Sequence, residues 1–121
     1  MKHLSTEIAA GVATVTLDRP PVNAINAETL DEIISVFRGV GDDPEIRVVV
    51  FTAAGERAFI AGTDLRTVRQ TAEGAPRPID PGLRGRTALE AIGSCAVPVI
   101  AAVNGPVIGG GVAFVSMCDI I

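Results

Sequence analysis

The chain has 121 residues, 48% of them hydrophobic, a net charge of −4 at pH 7, and neither Trp nor Tyr. That is room for one well-buried globular domain, and charges scattered without a basic block, with few aromatic rings to stack on bases, exclude nucleic acid as the main partner. Cys95 and Cys118 stand apart in apolar surroundings and outside any metal-ligand spacing, so they read as buried thiols of a reducing compartment, with no metal expected. Met1 to Glu7 carries no long apolar segment, which gives no secretory signal and makes a cytoplasmic location the default.

Glu7 to Ala9 and Val12 to Asp18 are β-prone runs around Ala10-Gly11, with Ala13, Val15 and Leu17 alternating against Thr14 and Thr16, a hairpin pattern. Arg19-Pro20-Pro21 ends the second strand, because proline removes ladder donors. Asn26 is placed to cap a helix whose Leu30, Ile33, Ile34 and Phe37 share a face, and Gly39 or Gly41 is expected to stop it. Glu28, Asp31 and Glu32 lie early in that helix, where the dipole favours acids and a solvated surface is the plain expectation. Arg47 to Thr52 is nearly continuous and β-branched, which suits a central strand buried on both faces. Leu65 to Gln70 reads as the start of a short helix. From Thr71 to Arg86 the composition turns to Pro, Gly and charge, so residues 71–86 are expected to form a mobile loop, either a cover over substrate or a tolerated surface insertion. A helix around Arg86 to Ser94 returns the chain to Pro98.

Pro98 to Asp119 is the stretch with the most chemistry in it. A short strand, Val99 to Val103, runs into Asn104-Gly105-Pro106, then Gly109-Gly110-Gly111, then an apolar helix from Val112 to Met117. The first N–H groups of such a helix lack intrahelical partners and attract negative charge, and glycine lets a ligand approach the backbone. A membrane helix is disfavoured by Pro106 and four glycines; a P-loop needs Lys then Ser or Thr where Val112 and Ala113 stand; the dinucleotide fingerprint has the wrong spacing. An oxyanion- or carbonyl-binding turn remains, beside tight strand–helix packing by glycine. The plan occurs twice: Val48 to Thr52, Gly55 and Gly62-Thr63 parallel Val99 to Val103, Gly105 and Gly109-Gly110. Two parallel strands that each deliver a glycine-led turn to one sheet edge set two N–H donors side by side, the makings of an oxyanion hole.

Asp18-Arg19-Pro20 with Asn23-Ala24, then Ala58 to Leu65, then Pro98 to Gly105 with Gly109-Gly110-Gly111 and Cys118-Asp119-Ile120, run in an order that resembles the crotonase superfamily, the enoyl-CoA hydratase/isomerase group, over nearly the whole chain. The resemblance implies an α/β spiral of β-β-α units, with residues 1–121 as the amino-terminal part of one acyl-CoA-binding domain that ends before the last core unit and the carboxy-terminal helices. It implies an acyl-CoA partner, no cofactor beyond the coenzyme A of the substrate, and assembly as trimers or hexamers, with no nucleic acid or membrane. Thr63 and Gly110 are implied as the backbone donors to an enolate-like thioester oxygen, with Ala24, Ile25, Ala61, Gly62, Asp64, Gly109 and Gly111 around the substrate and Arg57 and Arg66 as candidates for CoA phosphates.

The pattern departs from the family at two points. Hydratases of the family carry a glutamate two residues past the glycine triplet, where this chain has Ala113, and their second glutamate falls beyond Ile121. Water addition needs a group to orient the water and a proton donor, so one-carboxylate isomerisation is expected over hydration in an intact chain, with 1–121 alone inactive. Asp64 and Asp119 are expected in structural roles. The alternative is a non-catalytic acyl-CoA-binding or assembly protein. Asp119-Ile120-Ile121 reads as the opening of a further strand, as expected of a fragment.

Overall fold

The structure is a computed structural model that describes residues 1–66 and 81–121. Ala10 and Gly11, both at positive φ (51° and 81°), turn the chain between β1 (Leu4–Ala9) and β2 (Val12–Leu17). Positive φ at both centre positions matches the twist of a tight hairpin. The strands pair antiparallel from Leu4↔Leu17 to Ala9↔Val12, so the hairpin begins earlier than Glu7, and Ala13, Val15 and Leu17 point into the core as their alternation requires.

β3 (Val48–Ala53) pairs parallel to β2, and β4 (Val99–Ala101) parallel to β3, giving one mixed sheet in the order β1-β2-β3-β4. β3 is internal as expected, but its burial alternates. Val49, Phe51 and Ala53 are buried while Val48, Val50 and Thr52 are half-buried, so one face carries the core rather than both. Phe51 is the pivot of that face, edge-on to Phe37 (centroids 5.3 Å apart) and to Phe59 (5.5 Å). The fourth strand is shorter than expected, and Ile120 begins to pair beside it through a bridge to Ile100.

α1 (Ala27–Asp42) starts where the cap predicts: Asn26 Oδ1 accepts from the Thr29 amide at 2.9 Å and from its hydroxyl at 2.7 Å. It does not stop at Gly39 or Gly41. Val40 is buried in the core, which keeps the last turn helical, and a Cβ on Gly41 would make only ordinary contact with Ala96, 3.6 Å from its amide nitrogen. Glu32 is not solvated either. It is 8% exposed, and its Oε1 accepts from the His3 amide (2.8 Å) and the Leu4 amide (3.3 Å), tying β1 to α1.

α2 (Pro81–Gly93) corrects the loop expected over 71–86: residues 81–86 are helical, and 71–80 lie outside the described residues, as does most of the helix expected from Leu65 to Gln70. Proline is tolerated in a first turn, whose amides need no intrahelical acceptor, and buried Ala88, Ala91 and Ile92 pack the helix on α1. The last helix, α3 (Gly111–Ser116), has six residues. No helix among the described residues is long and apolar enough to cross a membrane.

Candidate active site

The first donor segment is built from the turn after β2. Asn23 takes a positive φ (56°) and is 3% exposed. Its Oδ1 accepts from the Arg19 amide at 2.8 Å, and its Nδ2 donates to the Ala54 and Ala58 carbonyls, both at 3.0 Å. Arg19 Nη1 donates to the Ala24 carbonyl at 2.7 Å. These bonds present Ile25 to the chain after β3, where the Ile25 amide donates to the Gly62 carbonyl (2.7 Å) and the Asp64 amide to the Ile25 carbonyl (2.8 Å). Both bonds flank Thr63 in a parallel bridge, which turns the Thr63 N–H away from Ile25. That N–H donates to no protein group among the described residues. Gly62 is required at φ 95°, and a Cβ there would meet the Ile108 carbonyl oxygen at 3.0 Å.

The second donor segment leans on the first. The Phe59 amide donates to the Pro106 carbonyl (2.9 Å) and the Ile108 amide to the Ile60 carbonyl (3.0 Å). Gly111 packs so closely that a Cβ would sit 2.9 Å from the Ile60 carbonyl oxygen. Asn104 Nδ2 ties the turn after β4 to the Ala53 carbonyl at 2.6 Å. The open helix start expected here shrinks to two groups. The Gly111, Val112 and Ala113 amides donate three residues back, to Ile108, Gly109 and Gly110, and among the described residues the Gly109 and Gly110 amides of this turn are left without an acceptor, of which only Gly110 lines an apolar cavity. A helix of six residues adds little dipole to it. The two segments meet: a Cβ on Gly110 would lie 3.9 Å from Thr63 Oγ1, and one on Gly62 would lie 3.8 Å from the Gly110 nitrogen.

Two cavities join at Thr63. One, of about 380 Å³, has walls of Ile25, Leu30, Leu89 and Phe114, with Gly62, Gly110 and Ala113 also on its surface. The other, of about 350 Å³, is lined by Arg19, Ala24, Ala61, Asp64 and Arg66. Gly109 and Gly111 line neither, and Arg57 is exposed away from both. Thus Ala24, Ile25, Ala61, Gly62, Thr63, Asp64 and Gly110 come together, while Gly109 shapes the turn (φ 56°) and Gly111 packs it. Among the described residues, no carboxylate lines the first cavity.

Asp64 is buried under two guanidinium groups. Its Oδ2 lies 3.0 Å from Arg66 Nη2 and 2.9 Å from Arg19 Nη2, and its Oδ1 accepts from the Arg66 amide at 2.9 Å. The Arg66 side chain and amide, reinforced by Arg19 against the cost of burial, hold this carboxyl well below the usual carboxylate range. An acid so placed stays ionised and occupied. Asp119 is likewise structural, its Oδ2 accepting from the Val99 amide at 2.8 Å. Burial, with the Asp119 charge nearby, pushes the Cys118 thiol up to about 11, although both cysteines are half-buried rather than fully enclosed. His3, Glu28 and Glu32 bring ligand atoms within 4.8 Å of one another, but Glu32 already clamps β1 and Glu28 faces Lys2 at 3.7 Å. Arg19 and Asn23, which the sequence offers only as part of the Asp18-Arg19-Pro20 and Asn23-Ala24 motif, are positioning residues in the structure.

The family model described as enoyl-CoA hydratase/isomerase matches residues 7–121. The chain is 42% identical over 119 residues to the carnitinyl-CoA dehydratase of Proteus mirabilis, covering 98% of this chain and 44% of that protein. Identity to the carnitinyl-CoA dehydratase of Escherichia coli K12 is 44% over 110 residues, covering 91% and 41%. Among solved structures, an enoyl-CoA hydratase/carnitine racemase from Magnetospirillum magneticum superposes with a TM-score of 0.84 at 32% identity, covering 98% of this chain and 45% of that one. The enoyl-CoA hydratase of Bacillus anthracis gives 0.80 at 29%, covering 97% and 45%. The chain spans less than half the length of these relatives.

Proposed function

The chain belongs to the enoyl-CoA hydratase/isomerase family, and from that premise we propose that the junction of the two cavities holds the thioester of an acyl-CoA, its carbonyl oxygen between the Thr63 and Gly110 amides. The observation that carries this is the pair of adjacent backbone N–H groups, each without a protein acceptor among the described residues, at the meeting point of an apolar cavity and an arginine-lined one. The apolar cavity takes the acyl chain. The groove along Ala24, Ala61 and Arg66 takes the CoA arm, with Gly62 and Asp64 holding its inner end in shape. When a proton leaves the acyl α-carbon, its electron pair moves toward the thioester oxygen, and two preorganised donors stabilise the negative charge there. One such donor is typically worth about 3 kcal/mol in the transition state.

Ala113 sets which chemistry follows. Moving a proton from the α- to the γ-carbon needs one carboxylate; adding or removing water needs a group for the water as well. Ala113 supplies neither, and Asp64 is bound to its arginines, so double-bond migration with a single carboxylate from elsewhere in an intact chain is favoured over hydration. The dehydratase names of the relatives weigh toward water chemistry, and restoring the acid separates the two: Ala113→Glu is expected to raise enoyl-CoA hydration about a hundredfold in the protein as the cell makes it. That no carboxylate is found among the described residues lining the cavity is also consistent with the alternative, an acyl-CoA-binding protein without catalysis. Assembly into trimers or hexamers belongs to the same proposal, supported by exposed Ile108, Val112, Ile120 and Ile121. Calorimetric titration with an acyl-CoA and with free CoA tests the site: tighter binding of the acyl form is expected, and equal binding of both contradicts the assignment. Turnover of enoyl-CoA then distinguishes enzyme from binder.

A further inference from the structure

Arg84 is out of place in an apolar cavity. It sits on α2 with a side chain only 16% exposed, and it is the one formally charged residue among the described residues lining the 380 Å³ cavity that Thr63 and Gly110 also face. Its sole hydrogen bond among the described residues runs from Nη1 to Asp31 Oδ2 at 3.2 Å, and Asp31 is itself 57% exposed. A guanidinium has five N–H donors in a planar fork. One long bond to a solvated carboxylate leaves most of that fork unmatched, and a largely buried cation is costly unless paired. No hydrogen bond joins it to any other described residue of the cavity wall, which includes the apolar Leu30, Leu89 and Phe114.

We propose that Arg84 selects acyl-CoA thioesters whose acyl chain ends in a carboxylate, the carboxylate completing the guanidinium fork while the thioester rests on the Thr63 and Gly110 amides. This rests on the acyl-CoA assignment of the site and narrows it to a substrate class. The planar fork and a carboxylate make paired, charge-assisted hydrogen bonds, which fix orientation as well as affinity. The same charge repels a carnitinyl thioester, whose acyl chain carries a quaternary ammonium. Asp31 tempers the preference by competing for the same guanidinium from the solvent side.

The test is a calorimetric comparison on the protein as the cell makes it, with succinyl-, glutaryl- and adipyl-CoA against neutral acyl-CoAs of equal length, carnitinyl-CoA and free CoA. At least one of the carboxylated series is expected to bind about tenfold or more tightly than its neutral counterpart. Arg84→Met, close in volume and without charge, brings that ratio to about one and improves carnitinyl-CoA relative to the carboxylated thioesters. Asp31→Asn, at an exposed position, widens the ratio, and it carries the test by itself if the Arg84 variant does not fold. A ratio near one in the unsubstituted protein, or a ratio unmoved by these substitutions, overturns the selectivity while leaving the thioester site standing, provided neutral acyl-CoA still binds more tightly than CoA. If no acyl-CoA outbinds CoA, the thioester site itself fails and the selectivity with it.

Discussion

The two donor segments have the same plan and opposite means of support. Thr63 is held by polar bonds: the Ile25 bridge on one side, the buried Asn23 network behind it, and Asp64 pinned between Arg19 and Arg66. Gly110 is held by absence of side chain, with Gly111 pressed on the Ile60 carbonyl and the following turn closed by bonds three residues back. The first segment adds buried side-chain hydrogen bonds and ion pairs to its backbone bridge, while the second rests on backbone bonds, the Asn104 tie and close glycine packing. A pair of amides is aligned in both cases, but the two halves are expected to break under different perturbations.

Asn23→Ala gives the largest effect. It leaves the buried Ala58 carbonyl and the part-buried Ala54 carbonyl and Arg19 amide short of a partner and puts alanine at a positive φ, so chemical denaturation is expected to show a loss of about 4 kcal/mol. Gly111→Ala tests the packed half. A Cβ 2.9 Å from the Ile60 carbonyl forces the segments apart, at a cost of about 2–3 kcal/mol and with acyl-CoA affinity falling in the same titration. Asp64→Asn costs about 2 kcal/mol at neutral pH through the part-buried Arg19 pair, and its effect depends on pH. Because the folded carboxyl is held below its unfolded value of about 3.9, its contribution is complete above that value and fades as pH falls through the folded one. Acid titration of stability is therefore expected to be shallower below about pH 4 in the Asn variant than in the unsubstituted chain. Asp119→Asn is the mildest. The amide oxygen still accepts from Val99, so thermal melting is expected to register a loss of about 1 kcal/mol or less.

The half of the molecule that was legible beforehand is the half written in local pattern. The Ala10-Gly11 hairpin, the Asn26 cap, the β3 and β4 strands and both glycine-led turns announce themselves within a few residues of sequence. The Gly11 turn and Gly62 do so because only particular residues tolerate their backbone. What stayed hidden depends on distant partners. Nothing adjacent to Asp64 in the sequence points to Arg19, and Glu32 looks like a surface acid until β1 is laid over it. α2 begins in a Pro- and Gly-rich segment that reads as loop, and it is helical because Ala88, Ala91 and Ile92 find a core on α1. Because that start reads as loop, nothing in the sequence marks Arg84, which among the described residues is the charged group lining the 380 Å³ cavity. The helix dipole at Gly110 is weaker than the sequence implies for the same reason: the length of α3 and its tight first turn are properties of the packed chain.

The central claim is that the Thr63 and Gly110 amides together grip a thioester oxygen. The measurement that meets it most directly is isotope-edited infrared spectroscopy of an acyl-CoA labelled with carbon-13 at the thioester carbonyl, free and bound to saturation. Two converging N–H donors weaken that bond, so the carbonyl band is expected to move to lower frequency on binding and to move back toward the free position in Gly111→Ala, where the second donor is displaced. A saturated complex whose carbonyl band stays at its free position would contradict the claim.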